Sequence, residues 1–327
     1  MKIFNDLKND FPRLENNILL KNYSTFKIGG PAKYFLRTSD KKELKKIIER
    51  AKQENIKFLV IGAGSNILFS DNGFDGLVIV YKADNLLREN LNIEKRENKD
   101  NVIIKVDASI PFSFLISELK NLSGLEWGIG IPGTLGGAIN GNAGAFNESI
   151  SDCIESVNVI DVSSGDIIEK KMNSRDCLFG YRSSIFKGNS DLLIVSVELK
   201  LFKDKEEDIK KRILDNVSKR MVKQPKGFSI GSIFKNYYGS IEEKIIINYP
   251  HLKSFNEKKI IPAGLLIELC NLKGKQIGDA KISDDHANFI INLKNSTSSD
   301  VIDLINLVKK TVKENFLIEL EEEIKIF

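Results

Sequence analysis

Histidine and cysteine are nearly missing from this chain of 327 residues, which carries two of the first and three of the second. His251 and His286 stand far apart with no cysteine cluster beside them, so a bound transition metal is not expected. Cys153, Cys177 and Cys270 are odd in number and not closely spaced, which reads as free buried thiols in a reducing compartment rather than a disulfide framework. No apolar run approaches the ~20 residues that a membrane span needs, and MKIFNDLKNDFPRLENN interrupts every apolar stretch with Asp, Asn or Lys. Neither a signal peptide nor a membrane span is therefore expected. An excess of one charge is lacking too: 49 Lys and Arg against 45 Asp and Glu leave +4. That balance suits an anionic small molecule and is too diffuse for nucleic acid. The lysines of 41–46 alternate with acidic and apolar residues at helical spacing and read as a solvated helix face. Chemistry on such a chain falls to an organic cofactor.

What is present fits a globular protein, with 42% hydrophobic and 29% charged residues over a length suited to two or three domains. Ser39 or Asp40 can cap a helix through Asn55, with Leu44, Ile47, Ile48 and Ala51 on one stripe. A strand over 58–61 follows and runs into a glycine turn. Strands are predicted over 102–106, 157–162 and 167–170, and 193–201 alternates as a half-buried strand. Past 205 the period turns helical, with Ile209, Ile213, Leu214 and Val217 on one face. Pro262 starts a helix to Asn271, Ser299 or Asp300 opens another, and 316–327 alternates as a closing strand.

Two glycine segments stand out. Gly62-Ala63-Gly64-Ser65-Asn66 places backbone amides at a strand end, where a diphosphate would fit. Ile67 stands where the dinucleotide fingerprint wants its third glycine, which disfavours the usual NAD fold. A literal GxGxxG occurs at 128–133, but Pro132 has no amide to donate and no strong strand precedes it. The small residues that follow, PGTLGGA over 132–138 and NGNAGA over 140–145, strip side chains from a long stretch and suit a flat, anionic ligand.

GAGSN followed by IPGTLGGAINGNAGAF resembles the FAD-binding signature of the UDP-N-acetylenolpyruvoylglucosamine reductases, the MurB family. STFKIGGPA (24–32), YRSSIFK (181–187), KQP (223–225), GSIFKN (231–236), SDDHANFIIN (283–292) and LEEEI (320–324) resemble further family segments, in order. The resemblance implies non-covalent FAD, reduced by NADPH, which in turn reduces the enolpyruvyl ether of UDP-N-acetylglucosamine to a lactyl ether for peptidoglycan synthesis. It implies an α+β fold: a two-lobe FAD-binding domain of the vanillyl-alcohol-oxidase type, then a C-terminal α/β substrate domain. The expected boundaries are 1–80 and 81–212 for the lobes and 213–315 for the substrate domain, with 316–327 returning to the middle lobe. A cytoplasmic monomer acting on a UDP-sugar is the matching expectation.

The same resemblance implies the site residues. Gly62, Ala63, Gly64, Ser65, Asn66, Pro132, Gly133, Gly136, Gly137, Ala143 and Gly144 would hold FAD, and Tyr181, Lys223 and Asn236 the substrate. Ser232 matches the family's proton donor, Arg182 its catalytic arginine and Glu323 its catalytic glutamate. The chemistry suits these types. Negative charge builds on a carboxylate as hydride reaches the β carbon, so a guanidinium fork and one proton source are needed. Glu323 would orient that fork or share the protonation step. On a strand, Glu319, Glu321 and Glu323 share one face, so Glu321 stays open as the alternative. His286 reads as structural.

The sequence departs from the pattern at Tyr237, where the family usually has proline, and lacks the glycine that often follows the closing strand. The short interval from Arg182 to Lys223 points to the subgroup without an extra tyrosine-bearing loop. Two other readings stay open: an FAD-dependent oxidase of a sugar or alcohol on the same fold, and a nucleotide-binding module without chemistry. Relatives of the first kind often tether FAD through His or Cys, and neither type lies near the glycine segments.

Overall fold

The computed structural model describes residues 2–84, 94–97 and 101–327. The chain divides into two compact units. The first comprises 1–18, 32–63 and 75–222; the second comprises 19–31, 64–74 and 223–327.

The first unit is built on two sheets. One is four-stranded, in the order Glu15–Leu19, Pro31–Thr38, Phe74–Tyr81, Phe58–Ile61, and Phe58–Ile61 runs parallel to Phe74–Tyr81. Helix Lys41–Gln53 packs on it through Leu44, Ile47, Ile48 and Ala51, all fully buried among Leu36, Leu77 and Ile79. Each leucine or isoleucine side chain here contributes about 1.5–3 kcal/mol by leaving water. Asp40 caps the helix by accepting the Lys42 N–H at 2.7 Å.

The second sheet is antiparallel. Its order is Ile168–Asn173, Ile154–Asp161, Leu192–Lys203, Asn101–Asp107, Glu94–Glu97, and Leu122–Ser123 pairs beside Leu192–Lys203. Along Leu192–Lys203 the side chains of Val195, Val197, Leu199 and Leu201 are buried in alternation, as the period-two pattern requires. Helix Leu135–Asn140, capped by Thr134, buries Leu135, Ala138 and Ile139 in the same core as Trp127 and Phe112. Helix Glu206–Lys223 closes the unit. Leu214, expected on its apolar face, is 66% exposed. Its neighbours Ile209 and Ile213 face the core instead, and a helix stripe anchored on those two turns Leu214 outward.

The second unit carries the antiparallel sheet Gln276–Ile277, Ala280–Ile282, Ile290–Asn292, covered by helix Ser298–Phe316. Thr297, rather than Ser299 or Asp300, is the cap, in a reciprocal box with Asp300. Val301, Leu304, Ile305, Val308, Val312 and Phe316 are its buried stripe. The last residues differ from expectation. The helix runs through Phe316, Leu317 turns left-handed, and only Lys325–Ile326 is strand. That strand, expected to return to the middle lobe, pairs in parallel with Ile67–Leu68, two residues long on each side. The alternation seen in the sequence is nonetheless real: Ile318, Leu320 and Ile324 are buried, turning the odd-numbered glutamates the other way.

Candidate active site

In the first unit, the glycines serve close backbone approach. A Cβ at Gly62 would lie 2.3 Å from Thr134 Oγ1, and one at Gly136 would press on Ala108 at 3.1 Å. Ala63 ends this unit's portion of the turn. Gly133 has φ +134°, open to glycine alone, and follows Pro132. The amides expected to line a ligand are partly spoken for. Gly136 donates to the Ala108 carbonyl at 2.8 Å, Gly137 to Thr134 Oγ1 at 3.2 Å and Ala143 to the Ala138 carbonyl at 2.8 Å. Gly137 differs from its neighbours: a Cβ there would meet only Thr134 Oγ1, at an ordinary 3.5 Å. The fold itself does not need glycine at that position, whereas a flat ligand laid on bare backbone does. The open backbone at Gly137 fits a flat cofactor such as FAD.

Arg182 stands beside this segment. Its Nη2 donates to the Gly144 carbonyl at 2.6 Å, and its guanidinium lies over the Tyr181 ring at 5.2 Å. Its backbone is left-handed, φ +52°, a conformation a non-glycine residue adopts only when its surroundings hold it there. They do: Asn142 Nδ2 donates to the Gly180 carbonyl at 2.8 Å and Ser184 Oγ to the Asn140 carbonyl at 2.6 Å. Asn142, buried and itself left-handed at φ +43°, was missed by sequence reasoning. The signal was available, since asparagine is the non-glycine residue best suited to that region. Arg220 was missed as well. It donates to the Trp127 carbonyl at 2.7 Å and lies over the Phe146 ring at 5.4 Å, and burial pushes its guanidinium below the ordinary value. Lys223 ends helix Glu206–Lys223; its side chain is outside the described residues.

In the second unit, Gly64 is left-handed at φ +61°, and a Cβ there would fall 2.2 Å from the Tyr23 carbonyl. Ser65 follows, and Asn66 Nδ2 donates to the Glu323 carbonyl at 3.2 Å. Ser232 follows Gly231, which has φ +84° and open space where a Cβ would be. The segment 232–235 is held from two sides. Asn288 Oδ1 accepts the Phe234 N–H at 2.9 Å while its Nδ2 donates to the Phe234 carbonyl at 2.8 Å. The Ile233 N–H donates to the Asn288 carbonyl at 2.9 Å. From the other side, the Glu323 N–H donates to the Ile233 carbonyl at 2.7 Å and the Lys235 N–H to the Glu321 carbonyl at 2.9 Å. The Glu323 backbone is thus held to Ile233, the residue after Ser232, with Asn288, a residue sequence reasoning passed over, imitating a strand partner.

Glu321 is exposed and ion-paired with Lys235 at 3.0 Å. Asn236 Oδ1 accepts the Ala263 N–H at 3.3 Å, and Tyr237 pairs with Ile261 in a two-residue strand. His286 accepts the Asn288 N–H at Nδ1, 3.2 Å, and stands edge-on to Phe289, a position that shapes the Asn288 turn. Among the described residues, no group of three or more His, Cys, Asp or Glu is placed to hold a metal, and no helix is long and apolar enough to cross a membrane.

Residues 32–170 match the FAD binding domain family, and residues 223–327 match the C-terminal domain of UDP-N-acetylenolpyruvoylglucosamine reductase. The reductase of Clostridium novyi is 36% identical over 97% of this chain and 93% of its own length; that of Chlamydia felis is 38% identical over 96% and 94%. This chain belongs to the UDP-N-acetylenolpyruvoylglucosamine reductase family. The crystal structure of the Thermus caldophilus reductase superposes with a TM-score of 0.71 at 30% identity, covering 96% of this chain and 99% of that one. The fold is α+β, an FAD-binding domain followed by a C-terminal substrate domain, and the family's enzymes are FAD-dependent oxidoreductases that take hydride from NADPH. An interval of helix Ile185–Gly188, strand Leu192–Lys203 and helix Glu206–Lys223 fills the chain between Arg182 and Lys223, leaving only short connections.

Proposed function

We propose that Ser232, Arg182 and Glu323 carry the chemistry of this family member, the NADPH-dependent reduction of enolpyruvyl-UDP-N-acetylglucosamine to UDP-N-acetylmuramate in peptidoglycan precursor synthesis. FAD, held by the glycine segments, would supply the hydride, taken from NADPH, that the β carbon of the enolpyruvyl group receives. Ser232 then delivers its hydroxyl proton to the α carbon, which completes the C–C single bond. A serine proton is released only to a strong base, and the enolate formed by hydride addition is one. Arg182 holds the substrate carboxylate as charge gathers on it, by a permanently cationic, forked donor. Glu323 shares the protonation step beside Ser232. Tyr181, Lys223 and Asn236 hold the UDP-sugar. Gly62, Ala63, Gly64, Ser65, Asn66, Pro132, Gly133, Gly136, Gly137, Ala143 and Gly144 hold the cofactor.

The observation that carries this reading is the hydrogen bond from Glu323 N–H to the Ile233 carbonyl at 2.7 Å, which seats a carboxylate-bearing residue against the serine turn. We take the enzyme to act in the cytoplasm, where NADPH and UDP-sugars are made, and as a monomer, which light scattering of the purified chain tests. For the reaction, the protein is reduced anaerobically with NADPH and then given the enolpyruvyl sugar nucleotide. Return of the oxidised flavin spectrum with that substrate supports the reading. A flavin reoxidised by oxygen alone favours a sugar or alcohol oxidase.

A further inference from the structure

The closing strand carries a charge that meets no countercharge among the described residues. The Lys325 N–H donates to the Asn66 carbonyl at 3.0 Å, and Lys325 stands opposite Ile67 in the parallel pair. The Asn66 side chain donates to the Glu323 carbonyl at 3.2 Å. Lys325 is therefore fixed at the end of the turn Gly64-Ser65-Asn66. Its side chain is half-buried, and burial alone pushes the ammonium below the ordinary lysine value. Three of the glutamates before it already have cations: Glu319 pairs with Lys313, Glu321 with Lys235 and Glu322 with Lys309. Among the described residues no side chain or carbonyl meets the Lys325 ammonium. Arg220, the other cation lowered by burial, has at least a carbonyl and a ring face.

A half-buried cation without a countercharge is costly to hold, and it persists where a ligand supplies the charge. The ligands of the proposed reaction carry a nucleotide diphosphate, and a lysine is a mobile point charge suited to one. We infer that Lys325 is the countercharge for a ligand diphosphate lying against the Gly64–Asn66 turn. The inference rests on the proposed function, and two sources share the chemistry, the diphosphate of FAD and that of the UDP-sugar.

The test compares Lys325→Met and Lys325→Arg in the full chain. FAD and riboflavin, which has no phosphate, are titrated into deflavinated protein by fluorescence, and the UDP-sugar is titrated by perturbation of the flavin spectrum. Loss of FAD affinity by about tenfold or more in Lys325→Met, with affinity retained in Lys325→Arg and riboflavin unmoved, assigns the FAD diphosphate. The same loss confined to the UDP-sugar assigns the substrate diphosphate. Unchanged affinity for both overturns the inference. A wild-type chain that binds neither nucleotide overturns the reading beneath it as well.

Discussion

Asn288 and Phe234 exchange two hydrogen bonds, side-chain amide to backbone, at 2.9 and 2.8 Å, so a single side chain closes the turn that presents Ser232. Both groups are buried. Asn288→Leu keeps the volume and strands the Phe234 N–H and carbonyl, a cost of about 2–5 kcal/mol. Urea unfolding measures that loss. Reduction of the flavin by NADPH should continue at nearly the wild-type rate in the folded variant while substrate reduction slows by about tenfold or more. Equal slowing of both steps would show a general structural role instead.

Gly62 and Thr134 are in closer contact than any side chain at 62 allows. Gly62→Ala drives a methyl to within 2.3 Å of Thr134 Oγ1, and overpacking of this kind costs about 1–3 kcal/mol. FAD affinity and melting temperature should fall together. Thr134→Ala in the same chain removes the obstacle and should recover part of the FAD affinity, although it also removes the cap of helix Leu135–Asn140. A double variant no better than Gly62→Ala would mean that the glycine answers to the ligand and not to Thr134.

Glu126 reports on the stability of the glycine-rich segment. Burial works to raise its carboxyl, but the Gly124 N–H at 2.7 Å and Arg212 Nε at 2.9 Å outweigh it and hold the group below its ordinary 4.5. A lowered folded-state value means stabilisation that is present above the unfolded value and lost as pH falls through the folded one. Glu126→Gln should therefore cost about 1–3 kcal/mol at pH 7. The gap between variant and wild type, followed by urea titration, should hold down to about pH 5 and narrow below 4.5. A gap that widens on acidification would contradict the assignment.

The sequence made some of this legible and hid the rest for identifiable reasons. The strand Phe58–Ile61 and the stripe Leu44, Ile47, Ile48, Ala51 follow from periodicity, since one-sided burial dictates it. The glycine run at 132–144 was legible as backbone that admits close approach. Which glycines answer to Thr134 or Ala108 was not, because those contacts join residues far apart in the chain. Leu214 misled because a stripe on a lightly covered helix admits more than one phase. The closing segment misled more. Alternation of Ile318, Leu320 and Ile324 specifies faces, but strand pairing over only Lys325–Ile326 depends on the distant Ile67 and Leu68. Asn288, Asn142 and Arg220 act through backbone carbonyls and amides elsewhere, which residue type alone does not disclose.

The most direct test of the assignment separates the two half-reactions in Ser232→Ala. Anaerobic stopped-flow absorbance follows first the bleaching of the flavin by NADPH, then its return on mixing with the enolpyruvyl sugar nucleotide. Removing a proton donor slows the step it serves by about 10²–10⁴-fold. The account predicts that loss in the second step alone, with the first near the wild-type rate. Equal loss in both steps, or an unimpaired second step, would contradict the role given to Ser232.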